Sequence, residues 1–122
     1  MSTTEISEKL VCRFIQIGKE ECFAQLTDIN SEFPETITGQ FMRLRPDTWY
    51  QVAENLDKTE LCALIKTLTV AEKQLPNCKA GSVSPVIWLF RKLKERFPSE
   101  QDKTADWVHR NTDNDWLLGS NL

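Results

Sequence analysis

No run of apolar residues in this chain approaches the 18 or so that a helix needs to cross a bilayer, and its first eight residues lack the basic-then-apolar order of an export signal. These absences lead us to expect a soluble, cytoplasmic protein that does not contact membranes. Glycine is scarce as well, at four residues in 122, and none builds a phosphate-cradling loop or a serine nucleophile elbow. The nearest approach, Gly81 to Pro85 with Ser82 and Ser84, lacks the second glycine, and Pro85 is better suited to starting a helix. Cys12, Cys22, Cys62 and Cys78 stand at separations of 10, 40 and 16 residues. None of these is the paired spacing of a zinc site or a redox dithiol, and the cysteines are expected to be reduced. No cofactor motif is present.

A dominant charge of one sign is also missing, since the net charge is -3. The halves differ, however: Met1 to Leu61 carries 11 acids and 6 bases, and Cys62 to Leu122 carries 7 acids and 9 bases. Such an asymmetry can orient an encounter with a charged partner or a second copy of the chain, but it falls short of a nucleic-acid footprint.

With 40% hydrophobic and 27% charged residues in 122 positions, the chain has the composition and length of one globular domain with an ordinary core. The apolar spacing is helical almost throughout. Leu10, Val11, Phe14, Ile15, Cys22, Phe23, Leu26 and Ile29 follow a 3.6-residue period interrupted by Gly18, which predicts two segments near 5–17 and 19–30. Residues 31–46 read as irregular, with 41–45 fitting a short extended piece as well as a helical turn. Pro46 and Asp47 open a short helix with Trp49, Val52, Ala53 and Leu56 on its buried face.

Asp57 and Glu60 form a capping box for a helix that places Leu61, Leu64, Ile65, Leu68 and Leu75 on one stripe. Ser84 and Pro85 start the next, where Val86 to Phe90 are apolar all round, marking it as the central element. Pro98 closes it, and Ser99 or Asp102 is expected to cap a last helix carrying Ala105, Trp107 and Val108. The predicted fold is all-α, a single compact domain of about five helices around a central hairpin of residues 57–75 and 85–97.

Residues 111–122 form an apolar C-terminal tail with Trp116, Leu117, Leu118 and Leu122, expected to dock on the domain's own core or on a partner. Arg91, Lys92, Lys94 and Arg96 gather at the end of the 85–97 helix, where they suit its dipole and would face an acidic partner. We therefore expect a non-enzymatic interaction or regulatory protein that binds a protein partner or a second copy of itself through Trp116, Leu117, Leu118, Arg91, Lys92 and Lys94.

Two other classes compete. His109, with Asp102, Asp106 and Asp113 at helical spacings, could contribute to a metal or enzyme site, of which Asp106, His109 and Asp113 are the core. Cys78, in a loop beside Lys79, is the thiol expected to meet solvent, with a pKa lowered by the nearby cation. The basic end of the 85–97 helix, flanked by Trp88, Phe90 and Phe97, could also contact nucleic acid weakly, a reading the acidic net charge disfavours.

Overall fold

Eight α-helices and no strand make up the described part of this computed structural model, which comprises residues 3–118, with side chains described from residue 8 on. They are α1 (Thr3–Glu20), α2 (Ile29–Glu32), α3 (Glu35–Met42), α4 (Pro46–Glu54), α5 (Lys58–Gln74), α6 (Pro85–Arg96), α7 (Gln101–Asn111) and α8 (Asp115–Leu118). Short 3-10 turns at Phe23–Asp28, Pro76–Cys78, Gly81–Val83 and Pro98–Glu100 join several of them. The all-helical class and the single compact body match the sequence reading, but the expected five helices become eight. The additional ones are short, and a helix of four to eight residues contributes too few turns to register as a period.

Gly18 does not break the first helix. α1 runs through it, because Gly18 is where α1 crosses α5 at backbone distance: a Cβ there would lie 2.2 Å from the Ala63 carbonyl oxygen and 2.6 Å from the Thr67 hydroxyl. The Thr67 hydroxyl reinforces this crossing, lying 2.7 Å from the Phe14 carbonyl and 2.9 Å from that of Ala63. The stop comes three residues later at Glu21, whose φ of 54° is left-handed. The Cys22 N–H donates to the Ile17 carbonyl there, a helix ending that usually employs glycine. The expected helix over 19–30 is thus replaced by a 3-10 turn and the short α2.

Residues 31–46 are not irregular either. α3 begins directly after Pro34, which occupies the cap position, and buries Thr38, Phe41 and Met42. Of the two forms open to 41–45, Phe41 and Met42 take the helical one as the end of α3, and Phe41 is packed edge-on against Phe14 at 5.6 Å and Trp49 at 5.0 Å between ring centroids, joining α1, α3 and α4.

The capping box of α5 forms in both directions: the Glu60 N–H donates to Asp57 at 2.8 Å and the Asp57 N–H to Glu60 at 3.0 Å. α5 and α6 form the central pair, but the enclosed member is α5. It buries Ala63, Thr67, Thr69, Val70 and Ala71 besides the predicted leucine and isoleucine stripe, with α1, α6 and α7 packed around it. α6 buries Val86, Ile87, Leu89, Phe90 and Leu93, while Trp88 is half-buried. α7 is entered from the Pro98–Glu100 turn without any side-chain cap, so neither Ser99 nor Asp102 plays that part.

Candidate functional site

The apolar stripe of α5 contains one residue that does not belong to it chemically. Glu72 stands four after Leu68 and three before Leu75, on the face that the helix turns inward, and is 1% exposed. A carboxylate buried this deeply needs donors, and three segments supply them. The Ser84 hydroxyl donates to one oxygen at 2.7 Å, while the Ala80 N–H and the Asn114 side-chain amide donate to the other at 3.2 Å each. Ser84 also accepts from the Val86 N–H at 3.2 Å, so the cap of α6 and the carboxylate form one chain of bonds. Burial pushes the Glu72 carboxyl above its ordinary value; the three donors oppose that rise and the charge of Asp113 adds to it.

Asn114 carries this anchor into the tail. Its amide donates also to the Gly81 carbonyl at 3.1 Å, and its side-chain oxygen accepts from the Trp116 N–H at 3.0 Å. Beyond it Leu117 is fully buried, and Lys79 pairs with Asp113 at 3.0 Å across the junction. Trp116 and Leu118, on either side of Leu117, are 53% and 48% exposed, and Val83, in the turn against which α8 packs, is 44% exposed. These three are the exposed large apolar residues among the described residues. Gly81, at φ 55°, sits directly beneath Trp116: a Cβ there would be 3.9 Å from the indole Cδ1. Leu122, also part of the expected tail, lies outside the described residues.

The basic residues named with the tail lie elsewhere. Lys92 pairs with Glu54 at 3.0 Å and Glu95 at 3.5 Å and stands over the Tyr50 ring. Arg91 donates to the Tyr50 hydroxyl at 3.3 Å and covers Trp88, and Lys94 stands over Phe90. Arg96 donates to the carbonyls of Ala53 and Leu56, satisfying the end of α4. Arg91, Lys92 and Arg96 tie α4 to the far end of α6, while Lys94 stays against its own helix; all four lie roughly 12–20 Å of helix from the Gly81–Val83 turn, so tail and cations do not form a common surface.

His109, Asp106 and Asp113 are not brought together. Asp106 turns back to Arg110 at 3.2 Å, Asp113 is held by Lys79, and the His109 Nε2 is enclosed with no hydrogen-bond partner among the described residues. Among the described residues no group of three or more histidine, cysteine or acidic side chains is placed to hold a metal ion. Cys78 corrects its expectation outright: it is fully buried, and burial together with the charge of Glu72 pushes its thiol to about 12, with Arg43 only partly opposing. The exposed cysteine is Cys12.

Sequence reasoning passed over Glu72, Asn114 and Val83. For Glu72 a signal existed, since a charged residue in register with Leu68 and Leu75 has to be buried or has to distort the stripe. Asn114 gave none, because its partner is 42 residues away. No protein-family model matches this chain, and comparison with curated proteins and with solved structures returned no significant similarity, so the functional reading rests on the chemistry of its own residues.

Proposed function

We propose that this protein is a non-enzymatic interaction module whose contact surface is the patch formed by Trp116, Leu118 and Val83. The observation that carries this reading is the pairing of opposites in α8: Leu117 and Asn114 fasten the segment to the domain while about half of the surface of the neighbouring Trp116 and Leu118 stays exposed. Isolated exposed apolar side chains are ordinary. Three at one junction, on a segment anchored to a buried carboxylate, resemble the pre-organised aromatic centre of a protein interface.

The occupant we favour is a second copy of the chain. The patch is bordered by charges of both signs, Lys79 with Asp113 and Asp115, and a border of that kind is self-complementary about a two-fold axis. Sedimentation of the full chain across a concentration series tests this. A dimer that Trp116→Ser and Leu118→Ser dissociate without lowering the melting temperature is expected. A wild-type chain that stays monomeric up to about 1 mM, the weak limit of useful association, would overturn it.

A further inference from the structure

At the opposite end of α5 lies a cavity of about 430 Å³, in the range that suits a small ligand. Its walls come from the end of α1, the first half of α5, and Glu100 with α7. Five cations line it, Lys19, Lys58, Lys66, Lys103 and Arg110, against two carboxylates, Glu21 and Glu100. In a chain whose net charge is -3, this is a concentration of positive charge on one concave surface.

The internal neutralisation is incomplete. Glu100, whose side chain is 16% exposed, is shared between Lys58 at 3.5 Å and Lys103 at 3.6 Å. Arg110 is turned to Asp106, outside the cavity wall. Lys19 and Lys66 have no carboxylate within ion-pair distance among the described residues, and the Lys66 ammonium is held 5.4 Å above the centroid of Trp107. Burial holds the Cys62 thiol above its ordinary value despite its contact with Thr104, so it brings no negative charge to the wall at neutral pH. Nor does the dipole of α5 account for the arrangement. Its positive end faces this cavity, where Lys58 is the first helical residue and is disfavoured by it; only Lys19, in the last turn of α1, complements the dipole of its own helix.

We infer that this cavity binds a small phosphate monoester, its phosphate held among Lys19, Lys66 and Lys103 and its organic portion lying against Trp107 and Ala63. Ammonium groups with compact charge and free rotation suit the tetrahedral phosphate. The half-buried Trp107, backed by Phe23 at 5.8 Å between ring centroids, offers a rigid apolar wall for the remainder. The site is distinct from the Trp116 patch and does not depend on it.

Titration of the full chain with ribose 5-phosphate, using ribose as the uncharged comparator and isothermal calorimetry as the readout, tests the inference. Saturable binding of the phosphate ester alone is expected, weakening at least about tenfold in Lys66→Ala and in Lys103→Ala, the loss of one charge-assisted contact each. It should also weaken as salt screens the lysines and remain unchanged in Trp116→Ser. Both lysine variants remove partly or fully exposed side chains, and unchanged circular dichroism verifies that they fold. No saturable heat up to about 10 mM, weaker than any affinity such a site would need, would overturn the inference. So would equal binding of ribose, or binding retained in both lysine variants.

Discussion

The two ends of α5 solve opposite problems. At the C-terminal end a single carboxylate is buried and closed off by three neutral donors from the α5–α6 loop and the tail. At the N-terminal end several cations surround an open cavity with too few carboxylates to balance them. Both charges are of the sign the helix dipole disfavours at that end. The difference lies in completion: the charge of Glu72 is satisfied within the chain, where it anchors the segment that carries Trp116 and Leu118, whereas the charges of the lysine end are not balanced by carboxylates around them. Local rules broken without internal compensation are where function is to be sought.

The largest test of this contrast removes the surface on which both ends depend. Gly18→Val would drive a side chain into the Ala63 backbone, and chemical denaturation should report a loss of about 3 kcal/mol or more, or failure to fold. Next comes Glu72→Leu, which leaves the Ser84 hydroxyl, the Ala80 N–H and one of the two Asn114 amide hydrogens without their acceptor; a loss of about 2–3 kcal/mol is expected from the same measurement.

Glu72→Gln should cost less than about 1 kcal/mol at neutral pH, because the amide can accept from Ala80 and Asn114 and donate to Ser84. Its pH dependence is the sharper readout. Since the folded protein holds the Glu72 proton more tightly than the unfolded chain, the wild type loses stability as pH rises from the ordinary carboxyl value of 4.5 through the raised folded value. The glutamine variant lacks that slope. Relative to wild type it should therefore look best at high pH and worst at low pH, in paired melts across that window.

Thiol accessibility separates the closed Glu72 end from the exposed face of α1. Alkylation by iodoacetamide at neutral pH should modify Cys12 readily and leave Cys78 unmodified until the loop opens, as peptide mass mapping would record. The smallest effect is expected for Lys66→Ala, which should change stability by no more than about 0.5 kcal/mol in denaturation. A large loss there would mean that the cavity lysines support the fold, and the contrast between the two ends would collapse.

What was legible in the sequence were the features whose signal is local. The Asp57–Glu60 capping box, the Ser84–Pro85 start and the Pro46 start each lie within four residues, and each appears where the spacing placed it. Features that join distant segments were not legible. Gly18 looks like an interruption when α1 is read alone; only the presence of Ala63 across the interface explains it. Cys78 looks exposed beside Pro76, Lys79 and Gly81, yet the loop holding it is tied inward by Asn77, bonded to Asn30 and the Glu35 carbonyl. The basic end of α6 looked like free charge because its partners, Tyr50 and Glu54, lie about 40 residues earlier. In the tail the composition pointed to Trp116, Leu117 and Leu118 alike; Leu117 is buried instead, and which of the three turns inward depends on how Asn114 fixes the start of α8.

The crossing of α1 over α5 has a further consequence. Elsewhere in the core a substituted side chain can be accommodated by its neighbours choosing other rotamers, but where two main chains touch no such slack exists. Descendants of this sequence should be able to exchange leucines for methionines throughout the interior, yet keep hydrogen as the sole substituent at position 18.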